Sequence, residues 1–376
     1  MMWMREAGLI KNPKLNIGFK LDCHSQKKEN TSPESFFQIV YNIFQQTEKT
    51  AGKPIELFYD IAGFKVCLRF AGKALISLIT PALEHLAAGS GSTPSLTICL
   101  FDSISTSARM PLFPWPKAKY WQRKPLGGSE AGPIKTDFDI ARGVLSLLDT
   151  KSNLAIYWVK DTKSIPYYET GSPMLVILHW WMLSHGRQLA HGGAVGTDKG
   201  GVFLAGRGGS GKSTVALSSL DSELSFAGDD YCLFSSSGKP FIYSLYNSAK
   251  IDQKHMHSLL AHMVDKVSNK EYLDFQKALF FLYKYFPNKI IKSFPCKAIL
   301  LPQVSGLRET RLKKISSAFV LKSLAPSTIF QLLGGERDFK NFIGFVRQLP
   351  CYLLETGTDL SRIPPVISGL LSELGI

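Results

Sequence analysis

Apolar and polar residues alternate from Phe64 to Phe70, with Val66 and Leu68 on one parity, and this period of two predicts a half-buried strand. Ala74 to Leu86 then carries its apolar residues at helical spacing, and Leu96 to Phe101 is a second β-rich run, so the region predicts an α+β module. Ser103 to Pro133 holds Pro111, Pro114, Pro116, Gly127 and Gly128 and predicts a long loop. A hairpin is expected next, with arms Gly143 to Leu148 and Leu154 to Val159 joined across the turn-prone Asp149 to Asn153. The most apolar stretch, Met174 to Leu183, is about half the ~20 residues that cross a bilayer and predicts a buried helix, not a membrane span.

Beyond Pro173, where a domain boundary is placed, the pattern changes to short apolar strands and glycine turns. His191 to Gly196 leads through a turn into the strand Val202 to Ala205; a glycine loop and a helix from Lys212 to Leu220 follow. Leu224 to Ala227, Tyr231 to Phe234 and Phe241 to Tyr246 read as strands. Ile251 to Lys297 mixes aromatics with eight lysines, among them Lys254, Lys277 and Lys297, and is expected to be helical. A strand at Ala298 to Leu301 and a closing helix after Pro364 complete the chain. The expected organisation is a loosely ordered lead-in over 1–34, an N-terminal α+β domain over 35–172 serving peptide recognition, and an α/β domain over 173–376.

Composition narrows the classes. With 376 residues, 45% hydrophobic and 20% charged, the chain is long enough for about two domains and is neither a disordered protein nor a polytopic membrane protein. Forty-four basic against 30 acidic residues leave +14, a surface that attracts anions such as nucleotides or acidic peptides. Six cysteines lie far apart with no C-x-x-C pair, and Arg5, Lys11, Lys14 and Lys20 interrupt any signal-peptide core, so a reduced cytoplasmic setting is expected.

The chemistry is carried by Gly206-Arg207-Gly208-Gly209-Ser210-Gly211-Lys212-Ser213, which satisfies G-x-x-x-x-G-K-[ST] between an apolar strand and a helix start. The glycines let successive N–H groups curl around phosphate oxygens, and the helix N-terminus adds positive potential. Lys212 is expected to reach the β- and γ-phosphates and Ser213 to ligate Mg²⁺, with Thr214 following in the nucleotide-contacting set. Gly206, Gly208 and Gly211 also spell the dinucleotide fingerprint, with Asp229 or Asp230 in place for a ribose; Lys212-Ser213 argues for a nucleoside triphosphate instead. Asp229-Asp230 ends an apolar strand just beyond the loop. Adjacent carboxylates diverge, so one can hold Mg²⁺ while the other accepts the proton of an attacking hydroxyl; a solvated turn is the plain alternative. His191, 21 residues before Lys212, returns to the phosphate end if its strand forms a hairpin with the next.

His191-Gly192, Gly206 to Ser213 and Asp229-Asp230, in that order and at those intervals, resemble the C-terminal domain of HPr kinase, a P-loop serine kinase family whose nucleotide site is similar to that of phosphoenolpyruvate carboxykinase. The resemblance implies a mixed sheet flanked by helices, ATP with Mg²⁺, Asp230 as the base that takes the serine proton, His191 and Lys212 at the phosphates, and Ser213 on the metal. The chain departs from HPr kinase where that family has Glu-x-Arg-Gly-x-Gly and this sequence has Ser244 to Lys250, which counts against a phosphorylase reaction and against HPr as substrate. That replacement, with Leu324 to Thr328 and Leu349 to Glu355, is similar to the HPr-kinase-related group of lasso-peptide clusters, which implies a peptide serine as acceptor. Lys250 is a secondary candidate for phosphate or substrate. Two rivals stand beside this reading: a non-catalytic ATP sensor, and a kinase acting on free serine or a sugar. Helical spacing of the aromatics among the lysines argues for core packing over nucleic-acid stacking.

Overall fold

Ser32 starts the first helix: its hydroxyl accepts from the Ser35 amide, Pro33 occupies the first turn, and Gly52 at φ 105° ends helix α1 (Pro33–Ala51). Phe36, Phe37, Val40 and Phe44 bury one stripe of it. The computed structural model describes residues 31–114, 132–140, 142–253, 256, 261–274, 276–323 and 336–376. The lead-in up to residue 30, much of the proline-rich loop and the Leu324 to Thr328 step fall outside the described residues.

The first sheet has seven strands: β1 (Ile55–Ile61), β2 (Phe64–Phe70), β3 (Ala87–Ala88), β4 (Leu96–Asp102), β5 (Ile134–Asp139), β6 (Val144–Asp149) and β7 (Leu154–Val159). Their order is β3-β1-β2-β4-β7-β6-β5, parallel only where β4 meets β2 and β7. Leu96, Ile98 and Leu100 point into one core while Cys99 and Phe101 point towards α1, so β4 is apolar on both faces. The expected hairpin is β6–β7. The helical spacing of Ala74 to Leu86 is realised only as an α turn at Ile76–Ile79 and a 3₁₀ turn at Pro81–Leu86, because Pro81 supplies no N–H to continue the ladder.

Helices α2 (Tyr167–Gly171) and α3 (Leu175–Ser184) lead into a nine-stranded mixed sheet. α3 is apolar all round and buried, as the run from Met174 predicted. The sheet contains β8 (Arg187–His191), β9 (Gly193–Thr197), β10 (Gly200–Leu204), β11 (Ser225–Gly228), β12 (Tyr231–Ser235), β13 (Phe241–Ser244), β16 (Ser293–Val304), β17 (Arg311–Ile315) and β18 (Cys351–Thr356). β16 lies at its centre, parallel to β10 and β18 and antiparallel to β13. A separate ribbon pairs β14 (Ser248–Ile251) with β15 (Ala278–Phe281). Helices α4 (Lys212–Ser218) and α6 (Ile363–Glu373) pack on one face, and α5 (Glu336–Arg347) on the other through Phe342, Phe345 and Val346. The molecule is therefore α/β, with mixed sheets flanked by helices.

The helical expectation for Ile251 to Lys297 is corrected. Among its described residues the region holds the end of β14, α-helical positions only at Gln253 and Met256, 3₁₀ turns at Ala261–Lys266, Lys270–Tyr272 and Pro287–Lys289, the strand β15 and the start of β16. Ala278, Leu279 and Phe280 are buried as a contiguous run, which suits a strand covered on both faces rather than a helix stripe.

The two sheets share one core: Trp181 and Met182 of α3 cluster with Leu148 of the first sheet and Leu189 and Leu233 of the second. Asn247 fastens them, its Nδ2 donating to the Pro81 and Ala82 carbonyls at 2.8 and 3.0 Å. Beside it His85 shares a 2.8 Å hydrogen bond with Ser244 Oγ. Burial, and then the Lys292 ammonium, push His85 down to about 3. Because its folded value lies below its unfolded one, the stability it contributes is complete above about pH 6.5 and is lost as pH falls towards 3. Over that window the slope is about 1.4 kcal/mol per pH unit. Denaturant midpoints of the wild type and His85→Gln are expected to converge or cross as pH falls through it, and parallel pH profiles would refute the assignment.

Candidate active site

Strand β10 is buried along its length and delivers Gly206 at its C-terminal end, where the chain turns into α4. Gly206, Gly209 and Gly211 have φ of 136°, 78° and 102°, a region closed to most side chains. At Gly206 an added Cβ would also lie 2.8 Å from Ser210 Oγ. Gly208 is outside that region and faces open space, so the curl rests on three of the four glycines. Arg207, Gly208 and Gly209 are exposed, Ser210, Ser213 and Thr214 half-buried, and Lys212 buried. Lys212 Nζ donates to the Gly206 and Arg207 carbonyls at 2.8 and 3.1 Å. Burial lowers its affinity for the proton, Asp229 and Asp230 oppose this, and Lys277 adds to it.

The neighbouring strands bring the other residues to this end. β9 and β10 form a hairpin, pairing Leu204 with Gly193, but His191 is not on it: it ends the preceding strand β8, which pairs it with Tyr231 of β12. The Gly192 amide donates to the Asp230 carbonyl at 2.9 Å, which ties the histidine strand to the acidic corner. An added Cβ on Gly192 would come within 2.4 Å of the Phe203 ring, so only glycine lets the link between β8 and β9 pass this close to β10. The His191 ring meets Tyr231 edge-on at 5.3 Å, and its Nδ1 is buried without a hydrogen-bond partner. Burial, reinforced by Lys212, Lys250 and Lys277 against the pull of Asp230, brings His191 down to about 4, so it is neutral at pH 7.

Asp229 and Asp230 diverge. Asp229 is buried, with Oδ2 accepting from the Lys250 amide at 3.1 Å and Oδ1 without a partner. Burial and then the charge of Asp230 raise it above the usual carboxylate range, against the Ser213 hydroxyl and the Lys212 ammonium. Asp230 moves the other way: burial alone would raise it, and the Lys250 ammonium, with His191 and Lys212 behind it, reverses the sign. Lys250 Nζ donates to Asp230 Oδ2 at 2.7 Å. That ion pair outweighs burial and raises Lys250. Lys250 therefore stands at the acidic corner, and the ribbon β14–β15 that carries it also brings Lys277 to the rim. Lys277 was visible only as one of eight lysines in a stretch read as helix; its place beside the site depends on the β14–β15 register.

An orphaned buried carboxylate oxygen within the influence of a helix-start hydroxyl suits a hard divalent cation. Among the described residues no group of three or more His, Cys, Asp or Glu side chains could hold a metal alone. A cation here would therefore share Asp229 and Ser213 with phosphate oxygens, which is how Mg²⁺ is usually held in nucleotide sites.

No protein-family model matches the chain, and no curated protein matches it in sequence. Among solved structures, the HPr(Ser) kinase/phosphatase from Coxiella burnetii is similar over 50% of this chain and 98% of that one, at 10% identity and a TM-score of 0.28, a likeness too slight to assign a family or an activity. Among the described residues no helix is long and apolar enough to cross a membrane.

Proposed function

We propose that the chain is an ATP-dependent kinase that transfers the γ-phosphoryl group to a serine hydroxyl of a peptide or protein. The observation that carries this reading is the meeting of a P-loop lysine, a diverging carboxylate pair of which Asp229 is buried and Asp230 half-buried, and a neutral histidine at one end of one sheet, with Lys212 within the electrostatic reach of both acids. The Gly206 to Thr214 segment would bind the nucleotide phosphates through its curled backbone and helix start. Asp229 and Ser213 would hold Mg²⁺, which when bound neutralises charge on the transferring phosphoryl group. The acceptor oxygen bonds to the γ-phosphorus as the bond to the ADP oxygen breaks, and the hydroxyl proton passes to Asp230. His191, uncharged at pH 7, can orient a phosphate oxygen without pairing permanently with Asp230.

Incubation with γ-labelled ATP, Mg²⁺ and serine peptides, beginning with one bearing a C-terminal serine such as a lasso-peptide precursor, is expected to label the peptide. Free serine and sugars run alongside test for a small-molecule acceptor. Tight ATP binding with no labelled product from any acceptor would overturn the kinase reading and favour a nucleotide sensor.

A further inference from the structure

Two ammonium groups at this site sit on oxygens of the protein itself. Lys212 is held by the Gly206 and Arg207 carbonyls, and Lys250, whose side chain is 10% exposed, is held by Asp230 Oδ2. The Lys250 contact occupies one of the two oxygens of the carboxylate that the proposed reaction needs as a proton acceptor. Its backbone is fixed, since its amide donates to Asp229 Oδ2 and β14 is paired with β15. Its stem passes close against Gly171, where an added Cβ would lie 3.0 Å from both Lys250 Cε and Leu279 Cδ1. What remains free to swing is the terminal ammonium. The helix α4 that starts at Lys212 packs on β14, which carries Lys250, and the Lys250 amide is tied to Asp229, so phosphates cradled by Lys212 and the loop arrive beside the Asp230–Lys250 pair. A terminal phosphate presents about two negative charges and three acceptor oxygens, against one charge on a carboxylate.

We propose that Lys250 changes partner: in the ligand-free protein it caps Asp230, and the terminal phosphate of a bound nucleoside triphosphate takes its ammonium and uncovers Asp230 for the acceptor hydroxyl. The inference rests on the kinase reading above and adds an order to it. Asp230 is a working base only while a triphosphate is in place, and the diphosphate product lets the cap return.

Titration calorimetry on the full chain, with Mg²⁺·ADP and with a Mg²⁺·β,γ-methylene triphosphate analogue, tests this. Lys250→Met is expected to weaken the analogue about 10–100-fold, the range of one charge-assisted hydrogen bond, while leaving ADP within about twofold. Lys250→Arg is expected to retain most of the preference for the analogue. Equal losses for both nucleotides, or no loss for either, would overturn the exchange while leaving the nucleotide site standing. A wild type that binds neither nucleotide would instead bring down the kinase reading itself. If Lys250→Met does not fold, a crystal structure of the wild-type analogue complex decides: the ammonium on a phosphate oxygen supports the exchange, and an ammonium still 2.7 Å from Asp230 Oδ2 overturns it.

Discussion

Asp230→Asn is expected to lower phosphoryl transfer by at least about 100-fold, the lower part of the range for removing a general base, without loss of nucleotide affinity. Asparagine keeps the shape of the side chain and an oxygen for Lys250, but it cannot accept the serine proton. The side chain is 26% exposed, so the lost ion pair is partly screened and the fold should persist. Nucleotide binding should hold or tighten, because a negative charge beside the phosphates is gone. Initial rates with labelled ATP, beside calorimetry on the same preparation, separate the two effects. Transfer within tenfold of the wild type would remove Asp230 from the mechanism.

Lys212→Met is expected to cost at least about 100-fold in affinity for ADP and ATP alike, since it deletes a buried, charge-assisted contact shared by both nucleotides. Its effect on stability should be small. Methionine fills the same volume, and the ammonium it replaces is buried at a cost that two carbonyls and two nearby acids only partly offset. Calorimetry and thermal melts on one sample test both halves. Unchanged affinity would show that Gly206 to Ser213 is a glycine turn that binds no phosphate. A collapse of the fold with Met would show Lys212 to be structural.

How far the sequence could be read depends on the range of the interactions involved. The buried helix after Met174, the β6–β7 hairpin, the β9–β10 hairpin and the strand–loop–helix around Gly206 were all legible. Each is decided by residues within a turn or two of one another: apolar periodicity, turn residues, and glycines at positive φ before a helix start. Helix α1 lies almost wholly beyond the expected 1–34 lead-in, in a stretch for which no element was predicted, although Ser32-Pro33 is a readable start signal. Ile251 to Lys297 was misread because aromatic and lysine spacing resembles a helix face until β15 finds β14 and β16 finds its three partners.

The sequence by itself determined the glycine loop between strand and helix, the acid pair beyond it and the α/β class, because local backbone preference and period suffice for these. Only the tertiary structure decided that Lys250 caps Asp230 across 20 residues, that Asn247 and His85 fasten the two sheets across some 160, and that Lys277 reaches the rim. Those contacts follow from strand register and shared burial. Register is set by which distant segments can cover each other's apolar faces, and no window along the chain contains that information.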